Sequence, residues 1–335
     1  MSTSQHHIVS VCIPSYNRPQ ELKRLLEGLY AQNSPAFEVV IAEDVSPKRE
    51  EIKQVVEELI AQHPDFNLRL HLNEKNLGYD GNLRSMFSLA KGDFCMFMGD
   101  DDVVCDGSMQ KVIDVLTANP NIGMALRAWE EVDLEGKLLS TSIYYPADTL
   151  FEAGWDTIAQ FFRKSIFISG LIFHRETALK YHTDKFDGLL LYQVYLLTMV
   201  LQEKQGFYIA KTLTQRLRGA EHYFGSSESE KGLFEPKMLK PEHSLNFMQG
   251  FLKILDNTGN AQLKTAVLKD FSNKAFGYLS LQRGNGIKSF VNYAKQLRKM
   301  GYAQTFPFWV FFFMLLILGE KTSEKLILSF KKIKN

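Results

Sequence analysis

Short apolar runs alternate with helically spaced leucines, isoleucines and valines through the first half of this chain, and that alternation limits the folds open to it more than any other feature. Ile8 to Ile13 is a β-rich run ending at Pro14-Ser15-Tyr16-Asn17, and Leu22, Leu25, Leu26 and Leu29 follow at helical spacing. Phe37 to Ala42 predicts a second strand with Glu43-Asp44 at its carboxyl end. A helix is expected over 50–62, a third strand over 68–72 and a helix over 83–90. Phe94 to Met98 is a fourth strand that runs straight into Gly99-Asp100-Asp101-Asp102. Such alternation builds βαβ units, an α/β fold with a mainly parallel sheet flanked by helices. Ligands of these sheets sit beyond the carboxyl ends of the strands, where the polar clusters of this chain fall.

The second half is less regular. Strands are expected over 123–129 and 165–174, and Tyr192 to Gln202 reads as an apolar helix. Gly219 to Gly232 is rich in Gly, Ser and Glu and reads as a flexible loop. From Pro241 the pattern is helical, with runs over 245–255, 263–281 and 287–300. Three segments are therefore expected: 1–120, a ligand-binding half of the sheet domain; 121–218, its other half; and 219–335, a lid loop, a helical C-terminal region and a tail. In that tail Phe306 to Leu318 carries no charge, and Lys321, Lys325, Lys331, Lys332 and Lys334 follow. Its thirteen residues span about 20 Å as a helix, short of the roughly 30 Å hydrocarbon core. An apolar stretch with a basic flank suits a helix lying in a membrane interface rather than crossing it. A buried helix or an oligomer contact is the alternative.

Lys+Arg 39 against Asp+Glu 38 leaves a net charge of +1, which argues against nucleic acid as a partner, since neutralising many phosphates needs a basic surplus. Cys12, Cys95 and Cys105 are too few for a disulfide framework, and Met1 to His7 is polar with no apolar leader region. Both point to the cytoplasm.

Asp100-Asp101-Asp102 carries the most chemical information. Three adjacent carboxylates repel one another, and a divalent cation offsets that repulsion; Mg²⁺ and Mn²⁺ favour oxygen ligands and bridge to substrate phosphates. Zinc is not expected, because no Cys/His cluster has its spacing. One carboxylate of Glu43-Asp44 can accept the N–H of a base edge, although Asp also suits a helix N-cap there. Arg18 can pair with a diphosphate, and Tyr16 offers a ring for a base to stack on. No GxGxxG, GxxxxGK[ST] or GxSxG motif follows the first strand, which speaks against dinucleotide dehydrogenases, P-loop NTPases and α/β-hydrolases.

Four ordered motifs resemble family 2 glycosyltransferases with the GT-A fold. They are the opening Val9-Ser10-Val11-Cys12-Ile13-Pro14-Ser15-Tyr16-Asn17-Arg18, the second strand ending Glu43-Asp44-Val45-Ser46, the loop Asn76-Leu77-Gly78 with Asn82, and Lys91-Gly92-Asp93 leading into the acidic triplet. The resemblance covers about residues 8 to 120. Beyond it, Ser169-Gly170-Leu171-Ile172-Phe173 is similar to the acceptor-side strand of members that build bacterial surface polysaccharides, such as O-antigen or capsule.

The resemblance implies that Pro14, Tyr16 and Arg18 line the nucleotide and Asp44 reads its base, with Glu43, Gly78 and Asn82 completing that side. Asp100 would lie near ribose and diphosphate, and Asp101 and Asp102 would hold Mn²⁺ or Mg²⁺ in a DXD-type site. The implied donor is a UDP-, CDP- or dTDP-linked sugar. The implied acceptor is a glycan, lipid-linked at the inner face of the cell membrane, and the implied transfer inverts the anomeric centre. The acidic pair expected before the helix at Tyr192 is missing, so the general base falls to Asp187, with Asp184, Glu221 and His222 as rivals. Two other readings stand beside this one. A sugar-phosphate nucleotidyltransferase wants a basic, glycine-rich phosphate loop that this chain lacks, and an inert binding subunit does not account for the intact triplet.

Overall fold

A computed structural model describes residues 8–34, 36–237 and 240–334; the polar segment 1–7 lies outside them. The chain divides into two compact units, Met1–Lys237 and Met238–Asn335. The loop over 219–232, grouped above with the C-terminal region, therefore belongs to the first unit.

In that unit β1 (Val9–Ser15), β2 (Phe37–Glu43), β3 (Leu68–Leu72) and β4 (Phe94–Phe97) alternate with α1 (Pro19–Tyr30), α2 (Arg49–Gln62) and α3 (Gly78–Leu89). After the triplet come β5 (Val103–Val104), α4 (Ser108–Ala118), β6 (Ile122–Val132), β7 (Leu138–Ser142), β8 (Thr149–Phe151) and α5 (Trp155–Phe161). The unit continues with β9 (Leu171–His174), α6 (Arg175–Lys180), α7 (Tyr192–Glu203) and β10 (Gln205–Leu217). All ten strands form one sheet of order β3-β2-β1-β4-β9-β6-β10-β5, with β7 on β6 and β8 on β10. The first four strands run parallel, so Ser15, Glu43, Leu72 and Phe97 end on one edge. β9 then runs antiparallel between β4 and β6, bringing residues 169–170 beside the end of β4.

β1 and β2 are almost wholly buried, as parallel strands covered on both faces must be. α1 starts with Pro19 in its first turn and lays Leu22, Leu25, Leu26 and Leu29 on the sheet. A buried carboxylate joins the strands. Glu38 accepts from the Ser10 hydroxyl (2.6 Å), the Lys91 N–H (2.7 Å) and Arg69 (2.9 Å). That bond network draws the turn into β4 against β1. A methyl group on Gly92 would sit 2.7 Å from the Ser10 nitrogen and 2.8 Å from the Val9 carbonyl carbon.

Four local expectations differ from the structure. The helix expected over 83–90 begins at Gly78, because Asp44 holds the two backbone N–H groups that open it. The strand expected from Ser165 begins only at Leu171, after a 3₁₀ turn over Phe162–Ser165 and a left-handed Gly170. The run over 263–281 is two helices. β10 is unforeseen, since register shifts on both sides of Thr212 scramble its period-two pattern.

The second unit packs α8 (Pro241–Asn257), α9 (Ala261–Asn273), α10 (Phe276–Arg283), α11 (Ile287–Lys299) and α12 (Phe306–Lys334). α12 breaks at Gly319, whose φ of 73° is left-handed. One face of it is buried within the unit: Phe312 stacks on Phe290 at 5.3 Å, and Arg283 Nε donates to the Leu315 carbonyl at 2.9 Å. The opposite face leaves Phe306, Val310, Phe313 and Ile317 exposed at a spacing of one helical stripe. Lys321 and Lys325 are exposed beyond it; the side chains of Lys331, Lys332 and Lys334 lie outside the described residues.

Gly92→Ala is expected to destabilise the first unit by about 1–3 kcal/mol, because the clash is with backbone that cannot rotate away. Urea denaturation checks this, and an unchanged midpoint would show that β1 and β4 have room for the methyl.

Candidate active site

The site begins where β1 ends. Asn17 takes a left-handed φ of 64°, which turns the chain so that Tyr16 and Arg18 both address the triplet. The Tyr16 N–H donates to Asp100 Oδ2 at 3.0 Å, and Arg18 Nη1 donates to Asp100 Oδ1 at 2.7 Å. Arg18 Nη2 lies 3.2 Å from Asp101 Oδ2. Burial alone would lower the Arg18 pKa, but Asp100 and Asp101 outweigh it and hold the guanidinium above its usual range. Asp100 is pushed up to about 6, chiefly by burial, against the pull of Arg18.

Asp102 points the other way, toward β9 and β10. It accepts from the Ser169 hydroxyl and the Leu217 N–H, and burial, with Asp101 adding repulsion, lifts it to about 7. The Ser169 oxygen also accepts from the Gly99 N–H at 2.8 Å. Asp101 is the most open of the three. A cradle marks the point between them: a Cβ on Gly99 would stand 3.0 Å from Asp102 Oδ2, 3.1 Å from Asp101 Oδ1 and 3.3 Å from Ser169 Oγ. Among the described residues no group of three or more His, Cys, Asp and Glu side chains is disposed to hold a metal. The two carboxylate oxygens that share this cradle fit an Mg²⁺- or Mn²⁺-like ion that takes its remaining ligands from phosphate and water.

Glu43 and Asp44 have separate tasks. Glu43 is fully buried and accepts from the Val45 N–H (3.0 Å) and Ser46 N–H (2.7 Å), with Arg49 3.4 Å away, so it shapes the turn and does not face the mouth. Asp44 accepts from Asn73 Nδ2 (2.7 Å), Leu77 N–H (2.8 Å) and Gly78 N–H (2.9 Å), and burial raises its pKa. Asn82 donates to the Ala42 carbonyl at 3.0 Å and accepts from Asn73 at 3.1 Å. Asp44, Gly78 and Asn82 thus form one latch around the loop at 76–78. Pro14 lies one residue inside the strand end. Around the same edge, Ser15 Oγ, Asn17 Oδ1 and Ser46 Oγ are buried polar atoms without a hydrogen-bond partner among the described residues.

The loop after β10 folds over this mouth. Tyr223 lies 5.8 Å from Tyr16, with the Arg18 guanidinium 5.2 Å from its ring centre, and Arg18 also donates to the Glu221 carbonyl. Phe224 meets Tyr79 edge-on at 5.7 Å, and His222 stacks on Phe224 at 5.6 Å. Glu230, buried, accepts from the Tyr79 N–H and the Gly225 N–H, both at 2.7 Å.

The residues expected to act as base are engaged elsewhere. Asp187 gives both oxygens to Arg84, one of them at 2.7 Å. Glu221 is exposed, and Lys237 at 2.6 Å together with the Tyr223 hydroxyl holds its pKa low, the wrong direction for a base near neutrality. Sequence reasoning missed Asp80 and Glu230, and it placed Ser169 only within an acceptor-side strand. Asp80 is fully enclosed and accepts from the Leu190 and Tyr192 N–H groups, both at 2.8 Å, fixing the left-handed Leu190 turn that starts α7. Its partners lie over a hundred residues away, and no local signal marks it.

With this geometry in place, comparison with known proteins gives the class. Residues 10–172 match the description Glycosyl transferase family 2, and this part of the chain is a family 2 glycosyltransferase domain. The chain is 35% identical over 115 residues to an uncharacterized glycosyltransferase of Haemophilus influenzae, covering 34% of this chain and 36% of that protein. It is 27% identical over 127 residues to the abequosyltransferase RfbV of Salmonella typhimurium, covering 38% of each. It is 27% identical over 106 residues to the GalNAc(5)-diNAcBac-PP-undecaprenol beta-1,3-glucosyltransferase of Campylobacter jejuni, covering 31% of this chain and 33% of that protein. The matched stretch spans about a third of the length of these relatives.

Among solved structures, S. aureus TarS 1–349 in complex with UDP-GlcNAc superposes with a TM-score of 0.58 at 16% identity over 95% of this chain and 90% of that one. The mannosyltransferase PcManGT of Pyrobaculum calidifontis, in complex with GDP-Man and Mn²⁺, gives 0.55 at 14% identity over 96% and 84%. The fold is GT-A, a central sheet with helices on both faces and a helical C-terminal region.

Asp80 generates a pH prediction. Burial raises its pKa from 3.8 to about 7, so the folded chain binds this proton more tightly than the unfolded chain does. Its contribution to stability is complete below pH 4 and falls as pH rises through 7, by roughly 4 kcal/mol at most. Melting temperatures from pH 4.5 to 8 should fall less steeply for Asp80→Asn than for the parent; parallel curves would show that Asp80 is ionised throughout.

Proposed function

We propose that the chain is an inverting, metal-dependent glycosyltransferase that moves a sugar from a nucleoside diphosphate to a glycan acceptor carried on lipid. One observation carries this reading: the acidic triplet meets Arg18 on one side and the Gly99 cradle on the other, at the carboxyl edge of four parallel strands. The complexes of TarS with UDP-GlcNAc and of PcManGT with GDP-Man support a nucleotide-sugar donor. The undecaprenol-linked substrate in the name of the Campylobacter relative supports a lipid carrier.

In the proposed reaction Ser15, Asn17, Tyr16 and Ser46 line the nucleotide, with Asp44 holding the loop at 76–78 beside it. Asp101 and Asp102 would hold Mn²⁺ or Mg²⁺, which when bound would offset the charge on the departing diphosphate. Arg18 adds a fixed positive charge within reach of the same phosphates. An acceptor hydroxyl attacks the anomeric carbon from the face opposite the diphosphate. The closed loop around Tyr223 and Phe224 keeps water from competing. For Asp187 to take the hydroxyl proton, Arg84 has to release one of its oxygens as the acceptor enters.

The exposed stripe Phe306, Val310, Phe313 and Ile317 supports peripheral attachment to the cytoplasmic face of the cell membrane. By length and composition Phe306–Ile327 is long and apolar enough to cross a bilayer. Its break at Gly319 and its one buried face favour a helix lying along the surface, with Lys321 and Lys325 toward anionic headgroups.

Calorimetry with UDP-, CDP-, dTDP- and GDP-sugars, with and without Mn²⁺, tests the donor site. Asp101→Ala should weaken metal-dependent donor binding about 10-fold or more, and binding of no nucleotide sugar by the parent would end the proposal. If Asp187 is the base, Asp187→Asn lowers kcat about 100-fold or more at unchanged donor affinity; a loss of melting temperature with kcat intact would make it a brace for Arg84 alone. Phe313→Glu with Ile317→Glu should abolish co-sedimentation with phosphatidylglycerol vesicles while leaving donor binding as it was. Equal sedimentation would assign the stripe to another partner.

A further inference from the structure

Arg127, at the middle of β6, is fully buried. Its guanidinium makes one hydrogen bond, from Nη2 to the Phe167 carbonyl at 3.0 Å, and lies 4.9 Å from the Phe167 ring centre. Among the described residues Nε and Nη1 have no hydrogen-bond partner. Burial lowers its pKa to about 10, with Tyr144 and then Asp102 pulling it back up, so it stays charged at neutral pH. A buried, under-bonded cation is less stable than an apolar side chain of similar volume. Packing for stability alone would place Met here.

The hydrogen bond, the ring contact and the closest backbone approach of that side chain all fall on the turn over 166–170. Gly170 is left-handed at φ 85°, and a Cβ on it would stand 2.9 Å from Arg127 Nε and 3.0 Å from Cδ, so the guanidinium is seated on bare backbone. The Gly170 N–H donates to the Phe97 carbonyl at 2.7 Å, and the Ser169 carbonyl accepts from Thr214 at 3.2 Å. The turn is thereby fixed from β4, β6 and β10 together, and it carries the Ser169 hydroxyl that holds Asp102 and Gly99.

We propose that Arg127 is a positioning residue: it clamps the turn over 166–170 so that Ser169 aims the Asp102 carboxylate into the metal cradle. The inference rests on the glycosyltransferase reading above. It makes Arg127 an outer partner of a metal ligand, a class of residue whose loss weakens metal binding about 10–100-fold. It also explains why a charge that lowers stability is kept.

The test uses the full chain and three variants, Arg127→Met, Ser169→Ala and the double variant. Mn²⁺ affinity is read by electron paramagnetic resonance in the presence of whichever of UDP, CDP, dTDP or GDP the parent binds. Arg127→Met should melt at or above the parent, by about 2–4 °C, and should bind Mn²⁺ about 10-fold more weakly. Ser169→Ala should weaken Mn²⁺ to a similar degree. The double variant should lose no more than the worse single variant, because both act along one chain of contacts. Multiplying losses, unchanged Mn²⁺ affinity in Arg127→Met, or failure of that variant to fold would each overturn the proposal. A parent that binds no nucleotide, or binds Mn²⁺ no better with nucleotide present, would instead fail the glycosyltransferase reading itself.

Discussion

Three consecutive carboxylates at the end of a buried strand are the constraint on which the first unit is arranged. Burying a carboxylate disfavours its charged form, and a neighbouring charge disfavours it further. The protein offsets this with groups from three distant segments. Arg18 and the Tyr16 N–H come from the end of β1, the Ser169 hydroxyl from the turn before β9, and the Leu217 N–H from the end of β10. The sheet order makes this feasible, since β4 lies between β1 and β9. A strand order that separated them would leave the triplet unanswered.

Arg18 links that electrostatic centre to the loop above it. The same guanidinium pairs with Asp100 and Asp101, donates to the Glu221 carbonyl and stacks on Tyr223. An anion that reaches Arg18 must exchange with some of these contacts. Entry of a diphosphate and movement of the loop therefore draw on one side chain. Glu230 anchors the far end of the loop to Tyr79, at the start of α3, so the loop can yield at its Tyr223 side while staying tethered. The chemistry of the mouth and its cover are set by β1 and α3, the segments that carry two of the four family motifs.

The parallel half was legible because its signals are local. Apolar runs in β1, β2 and β4, leucines at helical spacing in α1 and an acidic triplet after a strand can each be read within about fifteen residues. Lys91-Gly92 was legible as a motif, but its reason, the close approach to Ser10, belongs to the folded state. The acceptor half hid its logic because its partners are remote in sequence. Asp80 holds Leu190 and Tyr192, Arg84 holds Asp187, and Glu230 holds Tyr79. Each reads as an ordinary surface charge until the fold joins the pairs. Asp187 drew attention as an isolated acidic residue ahead of an apolar helix, a pattern that an ion-pair partner satisfies as well as a base does. In β10 the bulges around Thr212 erased the alternation that would have revealed the strand.

The unpartnered buried polar atoms point to the same place without reference to any motif. The apolar core under α1, α2 and α4 is built from aliphatic and aromatic side chains. By contrast, Ser15, Asn17, Ser46, Arg127, Tyr192 and Gln193 each bury a polar atom with no hydrogen-bond partner among the described residues. An unmet buried donor or acceptor costs about 1–3 kcal/mol, and apolar replacements of similar size would relieve that cost. Three of these residues lie at or just beyond the ends of β1 and β2, at the proposed nucleotide edge. Arg127 and Gln193 are tied to adjacent carbonyls, Phe167 and Ile166, on the turn that leads to Ser169. The unmet polar atoms of Ser15, Asn17, Ser46, Arg127 and Gln193 therefore lie on segments that flank the acidic triplet, where a substrate rich in hydroxyl and phosphate oxygens would meet them.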